Sequence, residues 1–191
     1  ITDGNGCIFE SPEYSVTKLT EIDADITSVG CFADSTGAID LTVTGGFPPF
    51  SYLWIQLSTG DTISMNQDIN NVSAGDYRVI ITDEVTVVIY DATLNISQPP
   101  SPVSIISSTV IQPVPGDCDG GEVEVEAIGG NGGFTFSWVN QDGTPIDDIQ
   151  VGNISTITGL IGGEYFLTVT DANGCIDDSF QTELEECQIG I

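Results

Sequence analysis

Residues 45–54 read GGFPPFSYLW and residues 129–138 read GGNGGFTFSW, so a glycine pair precedes a tryptophan by the same spacing twice. A second pair of similar segments follows them. Residues 74–83 read AGDYRVIITD, and residues 162–171 read GGEYFLTVTD. Similar motifs that recur in the same order are typical of tandem repeats. The sequence therefore contains two copies of one structural unit.

Apolar and polar residues alternate in both copies with the period of a β-strand. Apolar residues occupy every second position in residues 38–44, 77–81, 122–128 and 165–169. The pattern predicts strands near 38–44, 50–56, 75–82, 85–97, 103–111, 121–128, 134–140, 163–170 and 176–184. Since no segment keeps a helical period over a helix length, we expect an all-β protein.

Each copy also has the aromatic residues of an immunoglobulin-like sandwich. Trp138 falls on the third predicted strand of its copy, Trp54 lies at the matching motif position of the first copy, and a Gly-x-Tyr sequence opens the penultimate strand of each. Those are the places of the core tryptophan and of the tyrosine corner in that fold. We therefore predict two tandem immunoglobulin-like β-sandwiches, with both tryptophans in the cores.

A partial third copy precedes the two whole ones. Residues 1–7 read ITDGNGC, which matches VTDANGC at residues 169–175. The predicted organisation is the tail of a preceding repeat in 1–18, a first repeat in 19–100 and a second in 101–191. A proline-rich linker, QPPSP, ends the first repeat, because proline cannot donate a ladder hydrogen bond. With no initiator methionine and no signal peptide, the chain is expected to be a mature or excised piece.

The charge excludes several classes of function. The chain has 2 basic and 29 acidic residues, no histidine and a formal net charge of −27. Such a chain cannot neutralise phosphates, so we expect no nucleic-acid partner, and no run is apolar enough to insert in a membrane. Without histidine, Ser–His and Cys–His catalysis is absent. The paired carboxylates are placed in short turns or on strands, so no enzyme is expected.

The order of these motifs resembles the SprB repeat: Cys, then Gly-Gly-x-Pro-x-x-x-Tyr-x-Trp, then Ala-Gly-x-Tyr-x-Val-x-x-Thr-Asp, then Asn-Gly-Cys. That repeat recurs in very long cell-surface and secreted proteins of Bacteroidetes, including gliding adhesins. The resemblance covers residues 19–97 and 103–184, with 1–16 as a partial copy. It implies an extracellular β-sandwich array used as a stalk, adhesin or fibre, without catalysis. The first repeat departs from the pattern at Val87, where the closing cysteine is expected.

An extracellular location favours disulfides, and the five cysteines are Cys7, Cys31, Cys118, Cys175 and Cys187. Cys118 and Cys175 open and close the second repeat, so they are the predicted pair. This pairing leaves Cys31 alone and places the partners of Cys7 and Cys187 outside the two repeats. The alternative joins Cys7 to Cys31 and Cys175 to Cys187. A zinc site is not expected, because the chain has neither histidine nor a Cys-x-x-Cys pair.

One acidic turn is a candidate calcium site. Asp117, Asp119 and Glu122 lie in the sequence DCDGGE, where glycines permit a tight backbone around carboxylate oxygens. The spacing is not that of an EF-hand loop. The alternative is a solvated acidic surface that keeps the protein soluble.

Two hydroxyl residues are candidate glycosylation sites. The resemblance implies O-glycan acceptors of the form Asp-Ser/Thr, and Thr62 and Ser35 each follow an aspartate. The alternative is that both lie in plain turns.

These observations predict a non-catalytic structural or adhesive repeat unit. The expected partners are other copies or neighbouring repeats in a head-to-tail array or filament, with residues 1–16 adding a strand to a neighbour. The alternative is a carbohydrate-binding module for a surface glycan. Such a module needs exposed aromatic rings, and Phe9, Phe32 and Phe180 are the aromatic residues without a motif position.

Overall fold

The computed structural model describes residues 21–84 and 88–187, and it contains strands and no helix over those residues. The strands are β1 (Glu21–Thr27), β2 (Gly37–Thr44), β3 (Ser51–Gln56), β4 (Asp61–Ser64), β5 (Ile69–Val72), β6 (Gly75–Thr82), β7 (Val88–Ile96), β8 (Ser104–Ile111), β9 (Gly121–Ile128), β10 (Thr135–Asn140), β11 (Pro145–Ile146), β12 (Ile149–Val151), β13 (Ile154–Leu160), β14 (Gly163–Thr170) and β15 (Ile176–Leu184). The partial repeat predicted in residues 1–18 lies outside the described residues.

The strands form two pairs of sheets with the strand order of immunoglobulin-like sandwiches. The first repeat contains the sheets β1-β2-β5 and β4-β3-β6-β7. The second contains β12-β13-β9-β8 and β11-β10-β14-β15. The all-β fold with two tandem immunoglobulin-like sandwiches is therefore confirmed.

The contacts within the described residues divide into two compact units. One comprises Ile39–Ile69 and Asp76–Leu94, with the described residues up to Ile26. The other comprises Thr27–Ala38, Asn70–Gly75 and the described residues from Asn95 onward. The segment that carries Cys31 thus belongs to the same unit as β8 to β15. The predicted boundaries at residues 18 and 100 remain predictions.

The core of the second sandwich is built by the inward positions of both its sheets. Val123 and Val125 of β9 and Leu167 and Val169 of β14 are buried in one hydrophobic cluster. Their polar neighbours along each strand are less buried. Both strands could be predicted from the sequence because this alternation indicates which side chains point toward the opposite sheet.

The aromatic motif residues lie in the cores, as predicted. Trp54 is fully buried and its Nε1 donates to the carbonyls of Asn66 and Gln67 at 3.1 and 3.2 Å. Trp138 is 2% exposed. The Tyr165 hydroxyl donates to the Ile161 carbonyl four residues upstream at 2.9 Å, which is the contact of a tyrosine corner.

The longest strand that the sequence pattern misses in the second sandwich is β13. Its inward positions include Ser155, a fully buried polar residue. The Ser155 hydroxyl accepts from Trp138 Nε1 at 2.9 Å and donates to Asp148 Oδ2 at 2.6 Å. The buried serine interrupts the apolar alternation, and it is tolerated because both hydrogen bonds are made.

Candidate functional site

The turn between β14 and β15, residues 171–175, is organised by the carboxylate of Asp171. This side chain is only 5% exposed. Its Oδ2 accepts from the backbone nitrogen of Asn131 at 2.7 Å and from Asn131 Nδ2 at 3.0 Å. Its Oδ1 accepts from the backbone nitrogens of Asn173 and Cys175, both at 2.9 Å. One carboxylate therefore ties the β14–β15 turn to the loop between β9 and β10.

These hydrogen bonds decide the ionisation of Asp171. Burial by itself raises the pKa of this carboxyl. Hydrogen bonds from Asn131, Cys175 and Asn173 to the charged form outweigh burial, and the pKa lies below its ordinary value. Asp171 is therefore a charged structural residue at neutral pH.

The glycine pair at Gly129 and Gly130 makes room for this arrangement. Both residues have positive φ, at 82° and 51°. A Cβ at Gly130 would collide with the Asp171 carboxylate and with Val103. The glycine pair and the Thr-Asp sequence are thus two parts of one contact, although they lie about 40 residues apart in the chain. Their joint occurrence in both repeats was the sequence signal for this contact.

The same turn holds a disulfide between Cys175 and Cys31, whose Cα atoms are 5.6 Å apart. Beside it, the Gly30 carbonyl accepts from Asn131 Nδ2 at 3.0 Å and from Asn173 Nδ2 at 3.3 Å. Cys175 is buried, with 9% of its surface exposed. The hydrogen bonds to Gly30, the residue before Cys31, therefore hold the disulfide against the turn that Asp171 organises.

The predicted pairing of Cys118 with Cys175 is wrong, because Cys118 bonds to Cys187, with a Cα separation of 5.3 Å. Gly121, three residues after Cys118, lies against Leu184 at the end of β15, whereas Cys175 precedes the start of β15. A strand of this length spans about 25–30 Å, far beyond the ~7 Å limit between bonded cysteines.

The alternative pairing is wrong as well. It joins Cys175 to Cys187, whereas these residues bond to Cys31 and Cys118 respectively. The sequence correctly assigned Cys118 and Cys175 to disulfides, but it gave neither residue its partner and it left Cys31 unpaired. Cys7 lies outside the described residues.

The candidate calcium ligands are not gathered by the fold. Asp117 and Asp119 are exposed in the loop before β9, and Glu122 is a half-buried residue of that strand. Among residues 21–84 and 88–187, no group of three or more His, Cys, Asp or Glu side chains is arranged to hold a metal ion. Calcium binding therefore stays a prediction.

The candidate glycosylation residues are both accessible. Thr62 is an exposed residue of β4, and Ser35 is exposed in the loop between β1 and β2. Their modification also stays a prediction.

The aromatic residues without a motif position are placed differently from one another. Phe180 packs on Trp138 with its ring centroid 5.8 Å away and at 87°, so it belongs to the core. Phe32 is 39% exposed and lines a pocket of about 320 Å³ together with Asp34, Val103 and Ile176. Phe9 lies outside the described residues.

Comparison with known families identifies the first repeat. Residues 24–59, which span β1 to β3, match the family model of the SprB repeat. Residues 24–59 thus match a SprB repeat. The SprB match confirms the resemblance and the extracellular surface location it implies. The part of the chain that the structure describes has no helix long and apolar enough to cross a membrane. No curated protein matches the chain.

Several solved structures are similar in fold. A 282-residue C-terminal fragment of intimin, solved with the intimin-binding domain of its receptor Tir, is 18% identical with a TM-score of 0.42. That match covers 89% of this chain and 64% of the fragment. A BSP domain of a biofilm-associated protein is 14% identical with a TM-score of 0.31, and the match covers 86% of this chain and 30% of that one. This chain thus spans less than two thirds of either structure.

Proposed function

We propose that this SprB-repeat chain is a non-catalytic structural and adhesive segment of an extracellular surface protein, and that its repeats are joined head to tail in a stalk or filament. The single observation that carries the proposal is that the motif residues have structural roles. The tryptophans, Tyr165, the glycine pair and Asp171 all serve packing or turn formation. The residues that define the repeat therefore stabilise the core and the turns of the fold.

The proposed partners are other copies of the chain or neighbouring repeats. The sequence of residues 1–16 resembles the end of a repeat, and the proposed contact is the addition of this segment to the sheet of a neighbour. An isolated hairpin is marginally stable in water and gains from adding to another sheet. A head-to-tail contact of this kind builds a filament unless its rotation closes a ring.

Deletion of residues 1–16 tests the assembly. We expect the full chain to form head-to-tail particles at high concentration, in light scattering and negative-stain images, and the truncated chain to stay monomeric. A chain with residues 1–16 in scrambled order is the control for length and charge. Monodisperse monomers for all three chains would contradict assembly through this segment.

Carbohydrate binding is the second candidate, because Phe32 is an exposed ring beside a pocket. Aromatic faces of this kind are available for stacking against a sugar ring. A glycan array should then show specific binding that Phe32→Ala abolishes. Phe47→Ala is the matched control, since Phe47 is 38% exposed and is not among the residues that line this pocket. The absence of specific binding by the unmodified chain would rule this candidate out.

A further inference from the structure

The Cys31–Cys175 bond closes a covalent loop that is longer than one repeat. The two cysteines are separated by 144 positions, and β2 to β14 lie between them. A bond between the opening and closing cysteines of the second repeat would have enclosed that repeat alone. The first repeat has Val87 at its own closing position, so its opening cysteine takes the closing cysteine of the next repeat instead.

We propose that this disulfide is a shortcut for tensile load, so that a force applied to the two ends of the chain bypasses residues 32–174. Covalent connectivity requires the load to run along the chain to Cys31, across the bond, and onward from Cys175. The strands between them can come under tension only after the bond opens. The biological use of this shortcut rests on the proposed stalk or filament, whereas the route of the load does not.

The surroundings of the bond suit a load-bearing role. The backbone nitrogen of Val29 donates to the Ser97 carbonyl at 2.8 Å, and that of Ala33 donates to Gln98 Oε1 at 2.9 Å. With the two bonds to the Gly30 carbonyl, these contacts hold the segment on both sides of Cys31.

The second disulfide becomes load-bearing only afterwards. While Cys31–Cys175 is intact, tension passes from Cys175 to Cys187 along β15, which is much shorter than the path through Cys118. Once the first bond opens, the load crosses the second bond from Cys118 to Cys187, so residues 119–186 are not under tension. The two bonds therefore bear load in a fixed order.

Single-molecule force spectroscopy on the full chain, held by handles at both ends, tests this order. Without reductant, the extension should stop at about 16 nm, the contour of the segments outside the first bond at ~3.5 Å per residue. With a phosphine reductant at constant force, two successive steps should follow, of about 26 nm and then about 24 nm. In each step the phosphine reduces one disulfide to two thiols and becomes a phosphine oxide with oxygen from water.

Two double variants serve as matched tests, because each removes one bond. Cys118→Ser with Cys187→Ser should keep the short limit without reductant and then show a single step of about 50 nm. Cys31→Ser with Cys175→Ser should extend about 26 nm further than the unmodified chain without reductant, and then show only the step of about 24 nm. These limits are set by bonds, so they hold even where a variant is less stable.

The proposal is overturned if the unmodified chain extends beyond the short limit without reductant. It is also overturned if the two double variants give the same steps. None of these readings depends on adhesion or assembly, so a failure of the proposed function leaves them unchanged.

Discussion

The backbone nitrogen and the Nδ2 of Asn131 both donate hydrogen bonds to Oδ2 of Asp171, at 2.7 and 3.0 Å, although 40 positions separate the two residues. The same Nδ2 lies 3.0 Å from the Gly30 carbonyl, next to the Cys31–Cys175 bond. Asn131 thus connects the carboxylate that shapes the turn with the segment that carries the disulfide. The stability of the turn and the placement of the cystine should therefore depend on the same few residues.

Replacement of Asp171 should destabilise the second sandwich. Asp171→Asn puts an amide where a buried carboxylate accepts from Asn131, Asn173 and Cys175, so the free energy of unfolding should fall by about 2–4 kcal/mol. Asp178→Asn makes the same charge change at an exposed position and should stay within about 0.5 kcal/mol. Denaturant titration of both variants measures the difference. Equal effects would mean that charge rather than hydrogen bonding matters here.

The lowered pKa of Asp171 predicts a pH dependence. Because the folded pKa lies below that of the unfolded chain, about 3.9, the stabilisation is complete above the unfolded value and is lost as pH falls through the folded value. The difference in Tm between the unmodified chain and Asp171→Asn should therefore be constant above about pH 5 and shrink in acid. The difference is needed because protonating other carboxyls also relieves repulsion in this acidic chain. A difference that stays constant down to pH 2 would contradict the assignment.

Gly130 should tolerate a side chain far less well than Gly132. Both have positive φ, at 51° and 67°, but a Cβ at Gly132 meets no atom within 4 Å, whereas one at Gly130 collides with Asp171. Gly132→Ala should lower the unfolding free energy by about 1–2 kcal/mol through backbone conformation alone. Gly130→Ala should lower it by about 2–5 kcal/mol, since steric overlap is added. Equal losses would show that the close approach to Asp171 is unimportant.

Calcium binding is tested by its specificity. The prediction from the acidic turn is that millimolar Ca²⁺ raises Tm more than Na⁺ at equal ionic strength, because binding to the folded state alone stabilises it. Mg²⁺ matches the charge but prefers a smaller octahedral site. Asp117→Asn with Asp119→Asn should abolish the calcium increment. Equal shifts with Ca²⁺ and Mg²⁺ would indicate screening of the net charge of −27 and no specific site.

Sequence patterns predicted the elements whose cores are apolar. Strands β9 and β14 alternate cleanly, and Trp138 and Tyr165 occupy the motif positions of the fold. Strand β13 was missed because its inward Ser155 is polar and becomes acceptable only through Trp138 and Asp148, which other elements supply. The sequence of β13 alone does not show that other elements supply hydrogen-bond partners for its buried serine.

The disulfide partners could not be predicted from the sequence for a related reason. Counting strands gives the order of turns along the chain, whereas bonding depends on which end of the sandwich each turn occupies. Cys175 shares an end with the loop that carries Asn131, and Cys118 lies near the opposite end, beside Leu184 and Cys187. The sequence indicated that Cys31 lacked a partner within its repeat, which is the one clue that it bonds elsewhere.

Tryptic digestion of the unreduced, thiol-blocked and denatured protein tests the central claim most directly, that the opening cysteine of one repeat is bonded to the closing cysteine of the next. Trypsin cuts only after Lys18 and Arg78, so Cys31 lies in the peptide 19–78 and Cys175 in the peptide 79–191. The structure predicts one species that contains both peptides and that separates into them on reduction. A free 19–78 peptide, or one linked to residues 1–18, would contradict the account.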